Sequence, residues 1–261
     1  MIFGGEKLKC KIFSAYYGEK DIIIENSVIK PIQCGSVYID NPKIFLKDGI
    51  YPKISEKNES YNEISSLYAI WKDYSFNLEY IGFCHYRRYF ITKKYVYIFF
   101  FLNKISNFFL KKYKLKIISK ATNEIMESLS NYDAIFPKRI KLKISIKEHY
   151  KKFHIGKHYE IFEDIINSNF DFLAKYLDKA SKQKYGYFFN MFILKKDIFY
   201  RYCENLFEFI SLLELRIEIP EDTYQKRVVG FLSERFTNLY FEYLKNQNIL
   251  IKEVKVLKIV I

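Results

Sequence analysis

The chain has 261 residues, of which 49% are hydrophobic and 19% aromatic, and its formal net charge is +13. This composition suits one large folded domain and excludes an intrinsically disordered chain, which would lack the apolar residues for a core. The four cysteines lie far apart without C-x-x-C or zinc-finger spacing, so we expect reduced thiols in a cytoplasmic protein. We therefore interpret residues 1–261 as a single domain.

The sequence predicts no membrane span and no signal peptide. Its first ten residues lack a long apolar core, and its most apolar run, 95–110, is interrupted by polar residues. A spanning helix needs about 20 apolar residues. The positive charge is concentrated, because 91–157 contains 16 Lys or Arg but only four Asp or Glu. Such a region favours polyanions or an anionic membrane surface.

Strand patterns alternate with helix patterns along the chain. The first part predicts a strand over 9–17, a loop-rich stretch to about 55, a helix over 58–73 and a buried strand over 79–85. The second part predicts helices over 122–129, 159–179, 197–215 and 223–245, and strands over 132–136, 190–194 and 249–256. This order favours an α/β fold with a Rossmann-type, mostly parallel sheet flanked by helices and a helical C-terminal part.

The carboxyl edge of such a sheet is where ligands bind. We expect that edge to carry 14–17 and His85-Tyr-Arg-Arg88, the most unusual local sequence in the chain. If the strand continues, alternation places His85 and Arg87 on one face, and Tyr86 and Arg88 on the other. Two guanidiniums suit a diphosphate, because each offers a planar fork of donors. The alternative is an exposed strand end whose arginines pair with carboxylates.

Other patterns are less specific. No glycine-rich phosphate loop, no G-x-S-x-G elbow and no Asp-x-Asp at a strand end occurs in the sequence. His154 and His158 have the i,i+4 spacing of two metal ligands, although Gly156 between them disfavours a rigid helix. Asp222, before the last helix, could be a general base or a helix cap, and Glu63 could be structural or meet a substrate hydroxyl.

Two blocks of sequence are highly specific, Cys84-His-Tyr-Arg-Arg88 and Gly230-Phe-Leu-Ser-Glu-Arg235. Further segments accompany these two blocks over nearly the whole length of the chain: Lys11–Phe13, Pro31–Gly35, Ile54–Asn58, Glu63, Leu67-Tyr68, Trp71-Lys72, Tyr80–Phe90, Tyr132-Asp133, His154, Asn190–Lys196, Tyr202-Cys203 and Tyr224–Arg235. In their order and spacing, these segments together resemble a bacterial family of capsular and exopolysaccharide glycosyltransferases that has long been catalogued as a domain of unknown function.

The resemblance implies a GT-A-like fold and transfer of a sugar from a nucleotide donor, presumed UDP-linked. Some relatives are assigned galactofuranosyl transfer, so UDP-galactofuranose is the first donor to test. The implied acceptor is a capsular, lipopolysaccharide or exopolysaccharide glycan on a polyprenyl diphosphate at the cytoplasmic membrane face. A basic, aromatic insertion at about 91–120 would then contact the anionic inner-membrane surface as a peripheral protein does; the alternative is an ordinary solvated face.

Two positions depart from the pattern of the family. Tyr51-Pro-Lys53 stands where relatives have a glycine, an aspartate and an asparagine, although Asp48 lies close by. The first strand runs into Tyr17-Gly18 where relatives often continue into histidine and lysine. Both changes concern donor specificity and leave the expected fold unchanged.

The hypothesis for the site is a guanidinium-based anchor. Arg87 and Arg88, with His85, would stabilise the leaving diphosphate in place of a metal, so no cofactor is required, while Mn²⁺ or Mg²⁺ stays open. Asp222 and Glu63 are the candidate catalytic bases. Nucleoside contacts are predicted for Ser14, Ala15 and Tyr16, and other substrate contacts for Asn58, Asn190, Gln225 and Arg227.

Two other classes of function compete with sugar transfer. A basic chain with interleaved aromatics could bind single-stranded nucleic acid. No nucleic-acid-binding module is recognisable, however, and the aromatics follow core spacing, so we expect no nucleic-acid ligand. The second rival is a non-catalytic partner of a polysaccharide-assembly complex. The sequence does not predict an oligomeric state.

Overall fold

The computed structural model describes residues 9–20, 22–102 and 107–259. Its strands are β1 (Cys10–Tyr17), β2 (Ile29–Cys34), β3 (Leu46–Lys47), β4 (Tyr80–His85), β5 (Arg88–Ile91), β6 (Ala134–Pro137), β7 (Ile140–Lys141), β8 (Tyr185–Gly186), β9 (Phe192–Lys195) and β10 (Ile251–Lys258). Its α-helices are α1 (Pro52–Ser55), α2 (Asn58–Tyr61), α3 (Ile64–Ala69), α4 (Lys93–Leu102), α5 (Asn107–Ser128), α6 (Ile146–Phe153), α7 (Gly156–Asn169), α8 (Asp171–Lys182), α9 (Lys196–Glu214) and α10 (Val228–Leu244).

The main sheet is mixed. Its strand order is β3-β2-β1-β4-β5-β10-β6-β9, and β4 also pairs with β9. Six strands run in one direction, but β5 and β9 run in the other, so every pair that includes either of them is antiparallel. The expectation of a mostly parallel sheet is therefore only partly right. One cause is local, because the two-residue turn between β4 and β5 is too short for a crossover to a parallel neighbour.

Several predicted helices are divided. The predicted helix over 58–73 is α2, α3 and a π-helical turn over Ile70–Tyr74, because Asn62 has φ 53° and interrupts the helical path. The predicted helix over 159–179 is α7 and α8, separated at Phe170, whose backbone is not helical. The predicted helix over 223–245 is a 3-10 turn over Gln225–Arg227 followed by α10.

Other elements were not predicted from the sequence, or only in part. Strand β2 lies in the stretch predicted as loop, where Pro31 argues against a strand. On the side of β2 away from β1, the neighbouring strand β3 pairs only with Ile32 and Gln33. Pro31 lacks a backbone N–H, but no strand in the described ranges pairs with it on that side, so no hydrogen bond between strands is lost. The predicted helix over 122–129 is the last part of α5, and α6 was not predicted.

Apolar layers cover both faces of the sheet. On one face, buried side chains of α3 and of α7 to α10, such as Phe236, pack against strand residues that include Phe83 of β4 and Phe192 of β9. On the other face, Ile118 and Ile125 of α5 belong to a second buried cluster. The packed part of α5 therefore begins within the predicted insertion at about 91–120. No helix in the described ranges combines the length and the apolar character needed to cross a membrane.

Candidate functional site

A cleft of about 400 Å³ opens at the edge of the sheet where β1, β2 and β4 end. Its walls come from strand ends, from α2 and from the approach to α10. The lining residues are Ala15, Tyr16, Tyr17, Cys34, Asn58, Glu59, Asn62, Glu63, His85, Tyr86, Arg87, Thr223, Lys226 and Arg227. The structure thus brings together seven of the predicted site residues: Ala15, Tyr16, Asn58, Glu63, His85, Arg87 and Arg227.

The His85–Arg88 segment is a tight turn rather than a continued strand. β4 ends at His85, residues 86 and 87 form the turn, and β5 begins at Arg88, which pairs with His85. The condition for the predicted alternation, a continued strand, is therefore not met, although His85 and Arg87 do share the cleft; Tyr86 lines it with them. Arg87 lines the cleft, with its guanidinium carbon 5.0 Å from the centre of the Tyr86 ring. Arg88 points away and lies 4.0 Å from the centre of the Phe189 ring.

Positive charge converges on His85. The pKa of His85 is lowered to about 3, first by burial and then by four neighbouring cations, Arg88, Arg87, Arg227 and Lys20. The imidazole is therefore neutral at pH 7, which leaves the surrounding cations as the charge of the site. A recess with this excess of positive charge attracts an anionic ligand.

Glu63 is the carboxylate that the structure places deepest in the cleft. Its Oε1 accepts a hydrogen bond of 2.9 Å from Nδ2 of Asn190, which lies behind the cleft. Burial raises the pKa of Glu63, and the nearby carboxylate of Glu234 raises it further. A partly desolvated carboxylate with a raised pKa is a suitable proton acceptor near neutral pH.

The backbone around Glu63 is strained. Asn62, Phe189 and Asn190 have φ values of 53°, 83° and 48°, in a region that favours glycine. Each such residue costs on the order of 1–3 kcal/mol and persists only where neighbouring contacts hold it. Two of these contacts are visible: Asn58 Nδ2 donates to the carbonyl of Asn62 at 2.6 Å, and Glu234 accepts from the Phe189 N–H at 2.9 Å. Strain of this kind is concentrated at functional sites.

Glu234 is a residue that the sequence reasoning missed. It lies on α10, and its charge acts on both Glu63 and Arg88. Through Phe189 it also holds the segment that presents Asn190 to Glu63. Its position within the specific Gly230–Arg235 block was the signal that could have identified it.

The start of α10 is positioned by close packing. A Cβ atom on Gly230 would lie only 2.2 Å from Nδ2 of Asn62, so only glycine allows the helix to approach this closely. Asn62 Oδ1 in turn accepts a hydrogen bond of 2.8 Å from Nε of Arg227. The neighbouring Lys226 pairs with Glu59 at 2.9 Å. Arg227 thereby keeps its terminal nitrogens for a ligand while its stem is held in place.

The predicted nucleoside residues are only partly in the cleft. Ala15 and Tyr16 line it, whereas Ser14 is fully buried and its hydroxyl lies 3.2 Å from that of Tyr89. The Tyr16 hydroxyl accepts from the Ile24 N–H at 2.7 Å, so this side chain is held in the floor. Tyr17, which was not assigned a role, is 59% exposed and lines the opening.

Besides Ser14 and Arg88, three predicted residues lie outside the cleft. Asp222 is exposed, and its Oδ1 accepts from the N–H groups of Tyr224 and Gln225, which is the behaviour of a cap. Gln225 donates through Nε2 to the Phe153 carbonyl at 3.1 Å. Asn190 acts behind the cleft on Glu63, as described above. Of the two candidate bases, the geometry therefore favours Glu63.

Asp48 supports the fold and does not line the cleft. It is fully buried, and its oxygens accept hydrogen bonds from Gly35, Ser36, Ser55 and Ser65. These bonds satisfy the carboxylate and tie β2 to the short helices that follow. Asp48 is a structural residue.

The described residues contain no ready-made cluster of metal ligands. Within 9–20, 22–102 and 107–259, no group of three His, Cys, Asp or Glu side chains could hold an ion. Of the two carboxylates lining the cleft, Glu59 is paired with Lys226 and Glu63 with Asn190. His154 follows the end of α6 while His158 lies within α7, so the two histidines do not share a helix face.

A family model described as a domain of unknown function (DUF4422) matches residues 11–247. The chain belongs to this family. The match covers most of the sequence and includes the two specific blocks around His85 and Gly230. No curated protein matches the chain.

Among solved structures, the apo structure of the bifunctional glycosyltransferase WbbM shares the fold of this family member. The TM-score is 0.83 at 24% identity, over 97% of this chain and 46% of that chain, so this chain spans less than half of that protein. The mannosyltransferase Ktr4p from S. cerevisiae matches at a TM-score of 0.31 and 9% identity, over 89% of this chain and 64% of that chain.

Proposed function

We propose that this member of the DUF4422 family is a glycosyltransferase that uses a nucleoside-diphosphate sugar. The observation that carries the proposal is the cleft itself. It combines cations suited to a diphosphate, Arg87 and Arg227, with a buried carboxylate, Glu63, suited to a proton. The fold shared with a bifunctional glycosyltransferase supports the same reading.

The proposed reaction is a displacement at the anomeric carbon. The acceptor hydroxyl oxygen forms the new bond to this carbon while the bond to the diphosphate oxygen breaks, and the electron pair leaves with the nucleoside diphosphate. Glu63 takes the hydroxyl proton on its free carboxylate oxygen. Arg87 and Arg227, backed by the charge of Arg88, stabilise the negative charge that develops on the leaving group.

We further propose that the cations of the cleft do the work of a metal ion. A guanidinium remains charged at every relevant pH and can donate two parallel hydrogen bonds to a phosphate. Activity in excess EDTA is the direct check of this part, and strict dependence on manganese would contradict it.

The finer identity of the substrates rests on the motif resemblance. We propose a UDP-linked donor, UDP-galactofuranose first, and an acceptor glycan of capsular, lipopolysaccharide or exopolysaccharide type on a lipid diphosphate. The basic helices α4 and α5 would contact the inner face of the membrane, where Tyr97 and Tyr113 are 75% and 57% exposed. Tyrosine is suited to such an interface because its ring is apolar and its hydroxyl polar.

Release of UDP tests the proposed activity. The protein is incubated with membrane extract and with UDP-galactofuranose, UDP-galactose, UDP-glucose or a UDP-N-acetyl sugar. We expect acceptor-dependent release of UDP from one donor. UDP binding without turnover of any donor would favour the non-catalytic assembly partner, and tight binding of a random oligonucleotide without UDP binding would favour the nucleic-acid protein.

Replacing Glu234 by Gln should move the acid limb of the pH profile. The negative charge of Glu234 raises the pKa of Glu63, so the substitution lowers that pKa and keeps Glu63 ionised at lower pH. The amide oxygen of Gln can still accept from the Phe189 N–H. The acid limb of kcat/KM against pH is therefore expected at lower pH in the variant, and an unchanged or raised limb would contradict the assignment.

A further inference from the structure

A second surface at the same edge of the sheet is strongly basic. Residues 138–143 leave β6, and β7 pairs antiparallel with β8, which brings 184–185 beside them. We call 138–143 and 184–185 the basic ribbon. The segment 134–147 contains five Lys or Arg and no Asp or Glu.

The fold pairs two of these five cations. Lys147 pairs with Glu163 at 2.7 Å, and Arg139 pairs with Glu253 at 3.0 Å, which holds the ribbon to β10. Lys138, Lys141 and Lys143 are exposed, and in the part of the chain that the structure describes none of them forms an ion pair within 4.0 Å. These lysines therefore present their charge to solvent.

Apolar side chains accompany the lysines. Ile140 is 38% exposed and Tyr185 is 44% exposed, and the Lys141 ammonium lies 5.9 Å from the centre of the Tyr185 ring. Exposed aliphatic and aromatic groups beside lysines suit the boundary between lipid headgroups and acyl chains.

The direction of the strands places the ribbon beside the cleft. β6 is antiparallel to β9, and β9 is antiparallel to β4, so β6 and β4 run the same way. Their carboxyl ends, Pro137 and His85, therefore lie at the same edge of the sheet. A flat surface that touched the ribbon would lie at the edge where the cleft opens.

We propose that the basic ribbon is a second surface, besides the helices α4 and α5, through which this protein binds an anionic lipid bilayer. The bilayer would then lie beside the cleft, where a lipid-linked acceptor has to arrive. Delivery of the acceptor rests on the proposed function, whereas binding of the ribbon to the bilayer does not. The charge comes from Lys138, Lys141 and Lys143, and the apolar contact from Ile140 and Tyr185.

Co-sedimentation with vesicles tests the proposal. The full chain is mixed with phosphatidylcholine vesicles that contain 30% phosphatidylglycerol, as an approximate mimic of the anionic leaflet. We expect the triple variant Lys138→Glu, Lys141→Glu and Lys143→Glu to partition roughly 100-fold less, since each lysine near an anionic surface contributes about fivefold. The control Lys43→Glu, Lys53→Glu and Lys175→Glu has the same net charge and should lose much less.

Three outcomes would overturn the proposal. One is equal loss in the ribbon variant and the control, which would show a net-charge effect. Another is loss only when Lys116 and Lys120 of α5 are reversed, which would place the membrane contact on that helix. The third is retained binding to an oligonucleotide with no binding to vesicles. Calorimetric UDP binding by the ribbon variant, expected to be unchanged, separates these results from failure of the proposed enzyme function.

Discussion

Replacing Glu63 by Gln is expected to lower kcat by about 100- to 10,000-fold, the range of a lost general base. The amide cannot take the proton of the acceptor hydroxyl, while its oxygen can still accept from Asn190. Because burial already disfavours the ionised carboxylate, the neutral side chain should not destabilise the fold. Single-turnover and steady-state rates with the preferred donor provide the measurement.

The comparison variant for this experiment is Asp222→Asn. Asp222 is exposed and caps the turn that precedes α10, and the amide oxygen of Asn can serve the same role. Its kcat should therefore stay near that of the wild type. Should Asp222→Asn lose turnover while Glu63→Gln retains it, the assignment of the base would be reversed.

The second large effect is expected at the guanidiniums of the cleft. Arg87→Ala should weaken UDP binding by about 10- to 100-fold, because hydrogen bonds to charged groups contribute about 1.5–3 kcal/mol each. Arg227→Ala should act in the same direction, since this side chain also lines the cleft and its hydrogen bond to Asn62 uses Nε. Titration calorimetry with UDP measures both.

Arg88 allows an arginine outside the cleft to be compared with one that lines it. Its guanidinium lies against Phe189 rather than in the cleft, so Arg88→Ala should weaken UDP binding less than Arg87→Ala does. Arg201→Ala, an exposed substitution on α9, is the matched control and should leave the affinity unchanged. If Arg87→Ala and Arg201→Ala changed the affinity for UDP equally, the cleft would not be the UDP-binding site.

The sequence predicted two of the three strands whose ends line the cleft, because β1 has a short strand-forming pattern and β4 is an apolar run that ends at His85. It did not predict β2, whose end carries Cys34. It could not predict that residues 86 and 87 form a turn, since their residue types fit a continued strand equally well. The turn is what brings Tyr86 into the cleft beside His85 and Arg87. Arg88 begins β5 and lies against Phe189 instead.

Long-range contacts set the rest of the site. Asn190 and Glu63 are separated by 127 residues and meet through one hydrogen bond, which no local pattern encodes. Glu234 acts on Glu63 across an even longer stretch of sequence, and it also accepts a hydrogen bond from Phe189, whose φ is positive. Gly230 is informative only after the structure shows that Asn62 occupies the space of its missing side chain.

The most direct measurement is a calorimetric titration of the wild-type protein with UDP in excess EDTA. A cleft whose diphosphate anchor is made of guanidiniums predicts binding at one site per chain, unchanged by EDTA and weakened in Arg87→Ala. Absence of UDP binding in EDTA that returns with manganese, or full affinity in Arg87→Ala, would contradict the proposed anchor.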